Sequence, residues 1–168
     1  ADDGTIEFQS MDDIYNEALI QAMNGEIKID TARGTGNGER DTEPNPTSGV
    51  GSVGSVVNAG TMDAAGGKIE IAAEGGEIEL AGAGSLTAAE MALTAEKVKL
   101  TGAESQTFTG DTTITNLEIA TPGKTVYFDP GATLTLLGNT HIEGGAGSVD
   151  GLIRLFSSVK DSPWYIHL

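Results

Sequence analysis

The side chains able to do chemistry in this sequence are mostly carboxylates. There are 25 Asp and Glu against 9 Lys and Arg, with 2 His and no Cys, giving a net charge of −16 over 168 residues. Paired carboxylates could cleave a glycosidic bond if two of them stood about 5 to 9.5 Å apart across it. Glu70 and Glu79 are such a pair in residue type, but acids are frequent enough here that pairs arise on any solvated strand face. His141 and His167 have no neighbour at metal-ligand spacing. Without a thiol there is no disulfide, no thiolate metal site and no Cys nucleophile. The sequence therefore assigns no catalytic, cofactor-binding or metal-ligating residue.

Calcium needs hard oxygen ligands on loops. Asp12 and Asp13, Glu39 with Asp41 and Glu43, and Asp129 all stand in turn-like contexts. The 12-residue loop of a helix-loop-helix calcium site is missing, as is the Gly/Asp nonapeptide of calcium-binding β-rolls, so these turns allow weak calcium binding at most. The glycine runs at 34–38 and 49–54 are not phosphate loops, because no Lys-Ser/Thr follows them and no helix opens after them. Thr107, Thr109, Thr112, Thr113 and Thr115 cluster like the rank of a flat ligand-binding face. Their spacing is not kept elsewhere, and Thr is a good strand residue in any case.

Charge excludes other partners. Lys28, Arg33, Arg40, Lys68, Lys97, Lys99, Lys124, Arg154 and Lys160 are scattered singly, so phosphate backbones and anionic lipid surfaces are repelled and nucleic acid is not a partner. No apolar stretch approaches the roughly 20 residues that would span a bilayer.

The elements that carry these side chains repeat. A Gly precedes an alternating apolar and polar run in Gly4-Thr5-Ile6-Glu7-Phe8, Gly25-Glu26-Ile27-Lys28-Ile29, Gly67-Lys68-Ile69-Glu70-Ile71 and Gly76-Glu77-Ile78-Glu79-Leu80. Alternation at period 2 puts Ile27, Ile29, Ile69, Ile71, Ile78 and Leu80 on a dry face, and Glu26, Lys28, Lys68 and Glu70 on a wet one. Later segments keep the alternation: Val98-Lys99-Leu100, Leu117-Glu118-Ile119, Val126-Tyr127-Phe128, Leu134-Thr135-Leu136 and Trp164-Tyr165-Ile166, separated by turn formers such as Pro122-Gly123 and Pro130-Gly131.

Strand signals every 8 to 12 residues also suit an all-β sandwich or barrel. Very short strands, a near-identical repeated unit and small residues where like would stack on like favour a β-solenoid, at roughly 20 to 25 residues per coil. Two segments depart from the repeat. Residues 33–65 are rich in Gly, Asn, Ser, Thr and Pro and read as a long loop excursion, leaving first coils in 1–32 and further coils in 66–168. Leu86 to Lys97 has a helix-favouring composition, but Leu93, Val98 and Leu100 continue the alternation, and strand is expected to win.

The Gly-x-Ile-x-Ile runs, followed by Leu86-Thr87-Ala88, resemble the repeats of filamentous-haemagglutinin-like bacterial surface proteins. The stretch from Thr113 to Leu117, Pro122-Gly123-Lys124-Thr125-Val126-Tyr127-Phe128, Thr133 to Leu136, Leu155 to Ser158 and Trp164-Tyr165-Ile166 is similar to large surface proteins of the same kind. The resemblance implies a right-handed parallel β-helix, export, and a role in adhesion or matrix building.

The expectation is thus an all-β chain, a right-handed parallel β-helix (solenoid) with a long loop excursion. It would serve as a structural or adhesive, non-catalytic segment at the cell surface or in the extracellular space. A carbohydrate-active β-helix enzyme, a polysaccharide lyase or glycoside hydrolase, is the alternative. The expected partners are further coils of the same polypeptide or copies of itself, with surface polysaccharide or neighbouring cells as targets. Trp164, Tyr165, Ile166 and Leu168 read as an apolar edge that such a partner would cover.

Overall fold

The computed structural model describes residues 4–10, 13–31, 54–82, 85–145 and 149–168. In chain order the strands are β1 (Thr5–Gln9), β2 (Ile14–Asn16), β3 (Leu19–Gln21), β4 (Glu26–Asp30), β5 (Val56–Asn58), β6 (Thr61–Leu80), β7 (Ser85–Leu100), β8 (Gln106–Ile114), β9 (Leu117–Ile119), β10 (Thr125–Phe128), β11 (Thr133–Leu136), β12 (Thr140–Ile142), β13 (Arg154–Ser157) and β14 (Tyr165–His167). Among the described residues there is no α-helix, only one 3₁₀ turn at Val149–Gly151. No helix there is long and apolar enough to cross a membrane.

Among the described residues every strand pairing is parallel, and the pairings sort into three ladders. The first runs β1, β4, β6, β7, β8, β11, β14. The second runs β2, β5, β6, β7, β9, β12. The third runs β3, β6, β7, β8, β10, β13. The long strands β6, β7 and β8 therefore serve more than one ladder, and the register of β6 on β7 shifts between Ala64 and Lys68 and again between Ala73 and Glu77. Gly66 and Gly75, within those intervals, have positive φ (81° and 75°), which turns the chain where a side chain would be strained.

Register makes like face like. In the first ladder Ile6, Ile27, Ile69, Met91, Thr112, Leu134 and Ile166 pair in succession. In the second, Ile14, Val56, Ile78, Val98 and Leu117 do so, and in the third Ile20, Met62, Leu86, Phe108 and Phe128. Inward residues of all three ladders join one apolar cluster. The expected dry face holds, because Ile27, Ile29, Ile69, Ile71, Ile78 and Leu80 are all fully buried. Asn16 and Asn58 occupy inward positions of the second ladder. Asn16 Nδ2 donates to Asn58 Oδ1 at 2.7 Å and Asn58 Nδ2 to the Gly60 carbonyl, so neither amide is buried unpaired.

The leading glycine of the repeat has a steric cause. A Cβ on Gly25 would overlap the carbonyl oxygen of Gly4, and one on Gly67 would overlap that of Gly25. The three glycines lie one above another where backbone meets backbone.

The helix-prone stretch is strand, as expected, within β7. Leu86, Ala88, Met91, Leu93, Ala95, Val98 and Leu100 are buried. Burial at these spacings outweighs the local preference of Ala, Leu, Glu and Lys for helix. The excursion needs correction at its far end. Residues 32–53 lie outside the described residues, but Val56–Asn58 forms β5 and Thr61 opens β6. Val56, Asn58, Met62 and Ala64 point inward and are buried. Their alternation is real, but the Ser, Gly and Asn around it conceal it in the sequence.

Candidate functional site

The outward surfaces of the ladders carry the reactive side chains. On the second ladder the strand order places Glu79, Lys99 and Glu118 in succession, with His141 opposite Glu118. Lys99 Nζ reaches Glu77 at 2.5 Å, Lys97 Nζ reaches Glu118 at 3.0 Å, and Thr101 Oγ1 donates to Glu79 at 2.6 Å. His141 lies 3.2 Å from Glu143. The Lys97 ammonium holds the Glu118 carboxyl below its usual range, with Lys99 and His141 adding to the effect. Glu77 in turn raises the Lys99 ammonium. A groove of about 340 Å³ lies across this surface, lined by Lys97, Asn116, Glu118, Asn139 and His141 among others.

The Glu70 and Glu79 pair does not converge, since Glu70 lies on the first ladder and Glu79 on the second. Glu70 accepts from Lys68 at 2.5 Å, which lowers its carboxyl and raises the Lys68 ammonium. Of the candidate calcium ligands, Asp13 accepts from the Ser55 N–H and Asp129 from the Ser158 hydroxyl. Asp12, Glu39, Asp41 and Glu43 lie outside the described residues. Among the described residues no three His, Asp or Glu side chains group as they would around a metal ion. His167 pairs opposite Thr135 in the first ladder and is exposed. The threonines form no single rank: Thr112 is buried in the core, Thr113 faces out from the first ladder, and Thr107 and Thr109 belong to the third.

Three features escaped the sequence reading. Lys124 is fully buried and its Nζ donates to the Thr101 carbonyl at 2.7 Å, with the Gly82 carbonyl at 3.5 Å. Burial pushes its ammonium below the ordinary 10.5, and the Glu104 carboxylate pulls the other way. Gln106 is buried with neither amide atom hydrogen-bonded. On the third ladder, Ser85, Thr107, Tyr127 and Phe156 succeed one another. The last two set an aromatic pair on the outer wall, with ring centroids 6.2 Å apart and planes tilted by 35°. The alternation of Val126-Tyr127-Phe128 already put Tyr127 outward, but no local signal announces Phe156 as its neighbour.

Large exposed apolar side chains are unevenly distributed. Phe8, Tyr15, Leu19 and Met23 lie in the first strands and turns. Leu137, Ile142, Leu152, Phe156, Val159, Tyr165, Ile166 and Leu168 lie in the last, and the described residues between contribute none. Compared with known proteins, the chain matches no protein-family model, no curated protein and no solved structure.

Proposed function

We propose that the three ladders wind as successive coils of a right-handed parallel β-helix, and that the chain is a structural or adhesive segment of a bacterial cell-surface, filament or matrix protein of the filamentous-haemagglutinin-like kind. One observation carries this reading: six inward residues, from Ile6 to Leu134, pair in unbroken parallel register along one ladder, and Ile166 extends that register as an exposed last member. Such a stack is held coil by coil through neighbours alone, so it can be lengthened without redesign, as an extended surface element requires. The apolar side chains exposed toward its two ends suit covering by further coils or by copies of the same chain. The net charge of −16 makes neighbouring walls repel side by side, which leaves the ends as the surfaces for self-association.

A carbohydrate-active enzyme is the second reading, favoured by the groove in which Lys97, Glu118 and His141 converge with two asparagines. Glu96 also lines the groove, and Lys97 lowers the Glu118 carboxyl, which suits the ionised member of a glycosidase pair but supplies no carboxyl held protonated. Immunogold electron microscopy of the source cells tests the first reading. Label on surface fibres or matrix is expected, and label confined to the cytoplasm would refute it. Release of reducing ends or unsaturated uronates from polysaccharide by the purified chain would favour the second.

A further inference from the structure

The aromatic pair on the third ladder lies where the core has no use for it. Tyr127 and Phe156 occupy outward positions filled by Ser85 and Thr107 on the preceding strands, and Phe156 is 48% exposed. The turn after β13 rises beside them, so that Tyr127, Phe156, Ser157, Ser158, Val159, Lys160 and Asp161 enclose an open cleft of about 410 Å³. That volume lies within the usual range for small-molecule sites.

We propose that this cleft binds one pyranose ring of a neutral polysaccharide. A pyranose offers an apolar face of C–H groups and a rim of hydroxyls, and the cleft offers a counterpart to each. Aromatic rings supply apolar area in a fixed orientation with little entropy to lose. Lys160 and Asp161 also line the cleft, and since an ammonium can only donate hydrogen bonds and a carboxylate can only accept them, sugar hydroxyls can be met in both roles. The turn is tied down by backbone and side chain. The Ser158 N–H donates to the Phe128 carbonyl at 2.7 Å, its hydroxyl donates to Asp129 at 3.0 Å, and the Ser162 N–H donates to the Val159 carbonyl at 3.3 Å. Asp161, whose φ is a positive 61°, closes this turn and lines the cleft. One cation and one anion leave the cleft without net charge, and the −16 of the whole chain disfavours polyanions, so a neutral sugar fits better than a uronate or a nucleotide.

The inference rests on the reading of the chain as an adhesive wall, and the two can fail separately. Surface immunogold label with no sugar binding would sink the cleft alone, and sugar binding by a cytoplasmic protein would sink the wall alone. The test is an NMR titration of the full chain with neutral hexasaccharides of glucose, mannose and galactose, with hexagalacturonate and adenosine monophosphate as contrasting probes. At least one neutral hexasaccharide is expected to bind, shifting the amides of Tyr127, Phe156 and residues 157–161. Phe156→Ala and Tyr127→Ala should each weaken binding by about tenfold, and Phe156→Tyr by no more than about threefold. The amide shifts on the unaltered chain decide the matter if either alanine variant unfolds. Absence of neutral-sugar binding, shifts elsewhere on the wall, or preferential binding of hexagalacturonate or the nucleotide would overturn the proposal.

Discussion

Trp164 lies nearly flat on Phe128, their ring centroids 4.4 Å apart and their planes 21° from parallel. Phe128 stacks in turn on Phe108 at 5.7 Å. Ser157, the register partner of Phe128, has no ring with which to continue this column, and Trp164 takes that role from the segment before β14. The expected apolar edge is therefore divided: Trp164 packs on the core, whereas Tyr165, Ile166 and Leu168 stay exposed. Trp164→Ala should lower stability by about 1 to 3 kcal/mol, less than for a fully buried Trp, and Trp164→Phe should recover most of it. Urea unfolding followed by circular dichroism checks this; equal midpoints for the Ala variant and the parent would mean the stack contributes nothing.

Glycine at the repeat start predicts a steric penalty. Gly67→Ala would drive a methyl group into the Gly25 carbonyl and should cost at least about 2 kcal/mol, or prevent folding. Ile71→Asp, which places an unpaired charge among fully buried side chains, should cost several kcal/mol. Thermal melts within a degree or two of the parent in either variant would contradict the stacked arrangement.

Gln106 gives a prediction of the opposite sign. Because both its amide atoms are buried without partners, Gln106→Met should raise stability by about 1 to 3 kcal/mol. A lower urea midpoint would show that the amide is satisfied by an internal water.

Lys124 links stability to pH. Its folded-state pKa is depressed by burial, so the charged native form is penalised at neutral pH, and that penalty is relieved as pH rises through the folded value toward the ordinary 10.5. Lys68 and Lys99 work in the other direction. Their raised values give stability that is present below 10.5 and lost as pH climbs through the folded values. Comparing the parent with Lys124→Met cancels those common terms. The stability of the parent relative to the variant should increase between pH 7 and pH 10, as read from urea midpoints. A difference that stays constant or falls would be inconsistent with the buried ammonium.

Much of this was legible in the sequence, and for a physical reason. Period-2 alternation repeated along the chain puts Ile27, Ile29, Ile69 and Ile71 on one face, whereas the close backbone approach that the leading glycines permit shows only in the structure. What stayed hidden depends on contacts between distant residues. Lys124 looks like any surface cation until the carbonyls of Thr101 and Gly82 are seen around its Nζ. Phe156 becomes a neighbour of Tyr127 only through the register of β10 on β13, 29 positions apart. Thr112 sits among its outward-looking neighbours as a buried member of an apolar column.

The proposed function depends on the proposed stacking of coils, and the absence of cysteine makes that stacking directly measurable. Lys28, Glu70, Ala92, Thr113 and Thr135 form one outward column by register. Spin labels on cysteines replacing Lys28 and, in separate variants, Ala92, Thr113 or Thr135 report its length by electron–electron dipolar spectroscopy. With about 4.8 Å between neighbouring strands, the backbone separations should rise as about 10, 14 and 19 Å, one even step per coil and with narrow distributions. Separations that fail to increase in that order, or that spread broadly, would contradict the stacked β-helix and the surface role built on it.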